Sequence, residues 1–66
     1  MSKTTFKGLV ARDAHGPIYL YPIESKLYRY DNMWNGDRIL YLGNKETLPE
    51  VNWEDEPYVV NITVEL

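Results

Sequence analysis

The sequence predicts a small all-β protein, either an antiparallel barrel or a twisted sheet of about five strands. No segment repeats apolar residues at the i, i+3, i+4, i+7 spacing of an amphipathic helix. β-branched and aromatic residues instead fall in short runs, and Gly, Pro, Asn and Asp separate these runs. Since 66 residues make one domain, residues 1–66 are expected to form a single all-β unit.

The first hairpin is expected to join a strand over residues 4–12 to a strand that begins at Pro17. The four residues Asp13–Gly16 form the turn, because Asp and Gly favour turn conformations. Arg12 then pairs with Pro17, and the ring of Tyr21 lies over Gly8. Both faces of this hairpin are largely apolar, so both must be covered.

Asn35-Gly36 predicts a second hairpin, because a two-residue type I′ turn needs positive φ at both positions. Trp34 then faces Asp37. Asp31 lies diagonal to Arg38, as an exposed ion pair worth ~0.5 kcal/mol. One face of this hairpin is expected to carry five apolar residues: Tyr28, Tyr30, Trp34, Ile39 and Tyr41.

The last strand is expected to run from Tyr58 to the final residue, Leu66, because polar and apolar residues alternate there. Tyr58, Val60, Ile62, Val64 and Leu66 share the buried side. Between Gly43 and Pro57 the pattern predicts a loop, with one helical turn around Glu46.

Composition bounds the possible partners. The chain has no cysteine and one histidine, so neither disulfides nor a thiolate zinc site can support its small core. Self-association as a homodimer is therefore expected.

No apolar run is long enough for a membrane span and no secretion signal is evident. We therefore expect no membrane partner and a cytoplasmic location in the host cell.

Charge is distributed unevenly along the chain. Residues 1–45 carry seven Lys and Arg against four Asp and Glu, whereas residues 46–66 carry six acids and no base. This division favours internal or subunit-to-subunit complementarity and argues against broad nucleic-acid binding.

The residues of the first turn contain the one candidate for acid–base catalysis, His15 with Asp13. No nucleophile accompanies them, because the chain has no cysteine and its only serines are Ser2 and Ser25. We therefore interpret His15 as a solvated turn residue, and we expect neither enzymatic activity nor a cofactor.

The acidic segment around Glu50, Glu54, Asp55 and Glu56 has the residue types of a cation site. Three consecutive carboxylates cannot all point inward from an extended chain, and the glycine-bearing spacing of a calcium loop is absent. A solvated acidic loop is the favoured interpretation. The alternative is that these acids imitate phosphates and occupy a basic groove on a partner.

The aromatic residues are candidates for partner contacts. Tyr28 and Tyr30 resemble a base-stacking platform, but alternation places Arg29 on the other side of the strand, which favours core or interface tyrosines. Trp53 either plugs an end of the sheet or anchors a partner as a hot spot. The candidate contact residues are Trp34, Trp53, Tyr28, Tyr30, Glu54, Asp55 and Glu56.

Four motifs resemble a group of short uncharacterised proteins of bacteriophages and prophages of gut bacteria. They are F-K-G-L-V-A-R-D at 6–13, G-P-I-Y-L-Y at 16–21, a central Trp34, and L-P-E-V-N-W-E-D-E-P at 48–57. The likeness covers nearly the whole chain, and the last motif is the most specific. Leu9 and Asn52 depart from the pattern, which usually has Trp and Thr there.

This resemblance implies a phage accessory setting, in which small non-enzymatic proteins often disable host defence by binding a component or a signalling molecule. The leading hypothesis is an interaction protein that occupies a host protein. A second hypothesis is a sponge that sequesters a nucleotide-like signalling molecule, with phosphates bound by Arg12, Arg29 or Arg38. A third is a structural or self-assembly subunit. The first hypothesis is favoured because the chain is aromatic-rich and contains no catalytic set.

Overall fold

The computed structural model describes residues 2–65, and it confirms the all-β fold. Within these residues there is no helix, and the strands form a curled, antiparallel four-stranded sheet and a two-stranded sheet. The first sheet has the order β5-β2-β1-β6, and the second pairs β3 with β4. The strands are β1 (Lys3–Arg12), β2 (Ile18–Pro22), β3 (Tyr28–Tyr30), β4 (Met33–Asn35), β5 (Leu40–Gly43) and β6 (Tyr58–Glu65).

The first hairpin forms between β1 and β2, but its predicted register is wrong by one residue. Arg12 pairs with Ile18, so that Pro17 belongs to the loop. Because proline has no N–H, Pro17 cannot donate a ladder hydrogen bond. Its carbonyl instead accepts a hydrogen bond from the N–H of Asp13 at 2.8 Å, which closes a five-residue loop.

This shift of one residue reverses the faces on which the side chains of β2 point relative to β1. The predicted contact of the Tyr21 ring with Gly8 is therefore wrong. Leu20 and Ile62 fill the space over Gly8, since a Cβ atom there would lie 2.9 Å and 3.1 Å from their Cδ1 atoms. Gly8 thus permits close packing of three strands.

The second hairpin turns at Asp31-Asn32 and not at the predicted Asn35-Gly36. Asp31 and Asn32 have φ angles of 55° and 62°, and Tyr30 pairs with Met33 across them. Asp and Asn tolerate this left-handed conformation better than other non-glycine residues. Gly36 serves a different purpose, because the side chain of Leu27 occupies the place of a Cβ atom at that position.

Ile39 and Tyr41 consequently do not share a hairpin with β3. Strand β5 pairs with β2, where Tyr41 lies opposite Tyr19 and their ring centroids are 5.5 Å apart. The predicted ion pair between Asp31 and Arg38 is also wrong, because Nη2 of Arg38 lies 3.2 Å from Oδ2 of Asp13.

The β1–β2 hairpin is covered on both faces, as its two apolar faces predicted. The segment 44–57 covers one face with Val51, and the segment 23–39 covers the other with Trp34. The first core cluster contains Val10, Ile18, Leu20 and Val51, and the second contains Ala11, Tyr21 and Trp34. Each face of the sheet therefore has a small core of its own.

The predicted alternation of the last strand is confirmed in part. Val60 and Ile62 pack against the first core cluster, whereas Tyr58 and Val64 remain 40% and 39% exposed. Leu66 lies outside the described residues. The loop before β6 is present as predicted, but around Glu46 it has a single hydrogen-bonded turn, from the N–H of Thr47 to the carbonyl of Asn44, instead of a helical turn.

Candidate functional site

Arg29 is the centre of the region that contains most of the predicted contact residues. It lies in β3 directly opposite Trp34, so both side chains point to the same face of the hairpin. The Arg29 guanidinium carbon lies 4.4 Å from the ring centroid of Trp34 and 5.1 Å from that of Trp53. The two indoles meet edge to face at 5.9 Å. These cation–π contacts attach Trp53 to the hairpin.

The polar contacts of Arg29 attach the acidic loop to the same hairpin. Nη2 of Arg29 donates hydrogen bonds to the carbonyl oxygens of Trp53 at 3.2 Å and Asp55 at 3.1 Å. Nη1 lies 3.5 Å from the carboxylate of Glu56, whose side chain is 84% exposed. The ion pair and the two carbonyl bonds are all open to solvent, so the loop is held by these contacts together with the cation–π contacts. The Arg29 cluster consists of Arg29, Trp34, Trp53, Asp55 and Glu56.

Asp55 organises the loop itself. Its Oδ2 atom accepts hydrogen bonds from the N–H of Asn52 at 3.1 Å and from the hydroxyl of Tyr58 at 3.0 Å. The N–H of Asn52, and then the Tyr58 hydroxyl, hold the pKa of Asp55 below its usual value. The hydrogen bond to Asp55 in turn raises the pKa of Tyr58. The crowded acidic segment is therefore a folded corner ahead of β6.

The carboxylates of this corner do not converge on a common point. Asp55 is directed at Asn52 and Tyr58, Glu56 at Arg29, and Glu54 is exposed. Across residues 2–65 no three His, Asp or Glu side chains are grouped closely enough to hold a metal ion.

The opposite face of the β3–β4 hairpin is open. Tyr28 pairs with Asn35 and Tyr30 with Met33, and these four residues are called the tyrosine face below. Tyr28 is 61% exposed and Tyr30 is 70% exposed. The prediction that both tyrosines lie on the side away from Arg29 is confirmed by this pairing. The hairpin therefore has one anchored face and one free aromatic face.

Trp34 does not share a face with the tyrosines, which corrects the predicted arrangement. Its side chain belongs to the second core cluster and is 4% exposed, so it offers almost no surface to a partner. Its indole Nε1 is buried without a hydrogen-bond acceptor. Trp53 is half-buried and packs against the second core cluster, in the position of a plug.

Arg12 is buried, 8% exposed, and is surrounded by backbone carbonyl groups. Its Nε donates to the carbonyl oxygen of Val51 at 2.6 Å, and its two Nη atoms donate to four further carbonyls. These four acceptors belong to Gly16, Asn44, Thr47 and Leu48. Arg12 thereby fixes the loop that follows β5 and has no N–H group left for a phosphate.

Arg38 is also engaged within the chain. Its guanidinium lies 4.0 Å from the ring centroid of Tyr19 and forms an ion pair with Asp13. It borders an open cleft of about 410 Å³ that is lined by residues 33–38. All three arginines that the sponge hypothesis assigned to phosphates thus have partners inside the protein.

Asp13 is a buried structural carboxylate, 3% exposed. Its Oδ1 accepts a hydrogen bond from the N–H of Trp34 at 2.8 Å, and its Oδ2 accepts one from Nη2 of Arg38. Asp13 therefore joins the first loop to β4. His15 is exposed beside it. The sequence did not predict these roles, although alternation along β1 does place Arg12 on the core side with Val10.

Residues 2–65 contain no candidate membrane-spanning helix. Comparisons with protein-family models, with curated proteins and with solved structures give no match for this chain.

Proposed function

We propose that this protein is a small non-enzymatic accessory protein of a phage or prophage, which acts in the host cytoplasm by occupying a host protein, such as a component of host defence. The tyrosine face is the proposed contact surface. The observation that carries the proposal is the exposure of Tyr28 and Tyr30, at 61% and 70%, on a hairpin whose other face is fixed by Arg29. The sequence motifs at 6–13 and 48–57 support the phage setting through their resemblance.

Rigid tyrosines are well suited to this role. A tyrosine buries a large apolar ring while its hydroxyl can still bond to a partner or to water, and it has few rotatable bonds to immobilise. The backbone that carries Tyr28 and Tyr30 is restrained by strand pairing and by the hydrogen bonds from Asn35 Nδ2 to the carbonyls of Tyr30 and Met33. Binding therefore requires little additional ordering of the hairpin.

The chemistry of the partner follows from the residues around this hairpin. An apolar hollow that accepts two phenol rings is required, with hydrogen-bonding groups at its rim. Glu54 and Glu56 extend from the loop that Arg29 attaches to the hairpin, and both are exposed. A partner with basic residues beside its apolar hollow fits this arrangement.

A mechanism by binding, without catalysis, is supported by the state of the polar groups. The Asp13 carboxylate already accepts hydrogen bonds from Trp34 and Arg38, and Asp55 accepts them from Asn52 and Tyr58. Both carboxylates are therefore engaged within the fold.

The protein is also proposed to act as a homodimer. Eleven large apolar side chains are exposed among the residues described, and the chain has no disulfide to support its two small cores. Burial of part of this surface against a second copy supplies the missing stabilisation.

The experiment is a capture of host proteins from lysate with immobilised protein, followed by binding measurements on the recovered partner. Tyr28→Ser combined with Tyr30→Ser should weaken binding at least about a hundredfold, since central aromatic contacts cost about 2 kcal/mol or more each when truncated. Ile39→Ser is the matched control, because Ile39 is similarly exposed at 53% but belongs to the segment before β5. Circular dichroism checks that both variants fold. Unchanged binding by the folded double variant would refute the assignment of this face.

A further inference from the structure

We propose that β6 forms the dimer interface, in which its free edge pairs antiparallel with the free edge of β6 in a second copy, and Asn61 lies at the two-fold axis. β6 has eight residues, pairs with β1 on one side, and lies at an edge of the four-stranded sheet. Alternate residues of such a strand direct N–H and C=O groups away from the sheet. This inference rests on the homodimer part of the proposed function and names the surface responsible.

The two edges of the sheet differ in their capacity to accept another strand. Natural edges are blocked by short strands, irregular pairing, prolines or lysines. β5 has four residues, and its pairing with β2 shifts register between Ile18 and Tyr19. β6 pairs with β1 in one continuous register from Tyr58 to Glu65 and contains no proline, lysine or arginine. The β6 edge is therefore the one that can accept a strand over its whole length.

Symmetry restricts the register of such a pair. A two-fold axis perpendicular to the sheet keeps each face of one subunit continuous with the same face of the other. Residues directly opposite each other in a sheet point to the same face, and successive residues alternate. Each residue must therefore face one that lies an even number of positions away, so the axis passes through a pair of identical residues.

The register centred on Asn61 matches apolar residues on one face. It places Tyr58 opposite the partner's Val64 and Val60 opposite the partner's Ile62. On the other face Val59, which is 61% exposed, lies opposite the partner's Thr63. This pairing buries part of Tyr58 and Val64, which are 40% and 39% exposed in the monomer.

Neighbouring registers are less favourable. A centre at Val60 pairs only residues 58–62 of β6, five positions instead of seven, because the chain ahead of Tyr58 turns into the acidic corner. A centre at Ile62 places the apolar Val59 opposite the partner's Glu65. In the Asn61 register Glu65 lies opposite the partner's Pro57, which follows Glu56. Each of these two carboxylates has a cation within its own subunit: Lys3 at 3.3 Å from Glu65 and Arg29 at 3.5 Å from Glu56.

The test uses single cysteines, since the sequence has none of its own. Directly opposite Cα atoms lie ~4.5–5.5 Å apart, which suits a disulfide. Asn61→Cys should therefore cross-link to a covalent dimer under mild oxidation. Thr63→Cys alone should not, because its two copies would lie more than ~10 Å apart along the strands. An equal mixture of Val59→Cys and Thr63→Cys should give the mixed dimer.

Light scattering after size exclusion gives the association state. The unmodified protein should be a dimer, and Asn61→Lys, which sets two cations opposite each other, should raise the dimer Kd at least about tenfold. Ile39→Lys, at an exposed site away from β6, should leave the Kd unchanged. A monomeric unmodified protein would overturn both the homodimer and this interface. A dimer that survives Asn61→Lys, together with an Asn61→Cys variant that does not cross-link, would overturn the interface alone. The tyrosine face is tested separately, because Asn61→Lys should still bind the host partner.

Discussion

Replacement of Arg12 by methionine is the most direct test of how this fold is stabilised. Methionine replaces the apolar stem of the side chain but removes the whole guanidinium. Five carbonyl oxygens then lose their donor: Val51, Gly16, Asn44, Thr47 and Leu48. The bonds to Val51 and Gly16 are buried, whereas the other three are partly open to water.

The expected loss of stability follows from these two classes of acceptor. A buried carbonyl left without a donor costs about 1–3 kcal/mol, so the two buried acceptors alone give about 2–6 kcal/mol. Water can replace the guanidinium at the other three at smaller cost. A 66-residue domain has a total free energy of unfolding of about 3–10 kcal/mol, so Arg12→Met removes a large part of it or unfolds the protein. Arg12→Lys keeps three donors and should lose about half as much.

The assay is urea unfolding followed by tryptophan fluorescence, at one fixed protein concentration because the protein is proposed to dimerise. Lys26→Met is the matched control, since Lys26 is exposed and should change stability by less than about 0.5 kcal/mol. Hydrogen exchange should show that the amides of residues 44–51 lose protection first in Arg12→Lys. An Arg12→Met midpoint equal to that of Lys26→Met would refute the role assigned to Arg12.

Three further predictions concern the groups around the candidate site. Arg29→Met should release Trp53 and shift its fluorescence towards that of a solvated indole. The control Lys26→Met should leave the fluorescence unchanged. An unchanged spectrum in Arg29→Met would contradict the anchoring role of Arg29. Burial raises the pKa of Tyr21 above its usual value of 10.0. The contribution of Tyr21 to stability is therefore complete at pH values below 10.0 and is lost as the pH rises through the raised pKa. Tyr21→Phe should remove this alkaline dependence of the urea midpoint. The pKa of Asp55 is lowered, so its contribution is present above its usual 3.8 and is lost as pH falls through the lowered value. Asp55→Asn should flatten that acid limb and return the pKa of Tyr58 towards 10.0 in an absorbance titration.

The fold class could be predicted because strand periodicity is a local property of the sequence. The register of the first hairpin could not, since the chain ahead of Ile18 offers both a four-residue and a five-residue loop. The choice depends on whether Pro17 joins the strand ladder or closes the loop through its carbonyl. With Pro17 in the loop, no position of the ladder lacks an N–H donor.

The second turn shows how distant packing overrides a local preference. Asn35-Gly36 has the stronger intrinsic tendency to form a type I′ turn, yet Asp31-Asn32 adopts it. With the turn at 31–32, Trp34 enters the second core cluster and Leu27 packs over Gly36. These apolar contacts exist only in the folded protein, so the sequence pattern alone could not rank the two turns.

The candidate site was predictable in its members but not in its organisation. Composition indicates the aromatic and acidic residues, and strand alternation places Arg29 on the other side of the strand from the tyrosines. Its contacts with Trp53 and Asp55 span 24 and 26 residues along the chain. Such contacts depend on the path of the loop that follows β5, which has no regular pattern to indicate it.

Three arginines link separate segments of the chain, a role that disulfides often have in small domains. Arg12 holds the loop after β5, Arg29 holds the corner before β6, and Arg38 holds the first loop through Asp13. Each guanidinium has several fixed donors and can therefore join segments that share no strand pairing. Tyr28 and Tyr30 do not take part in these links. Because the exposed rings contribute little to the folded state, they are available for recognition, and substitutions there should separate binding from stability in a way that substitutions of Arg29 cannot.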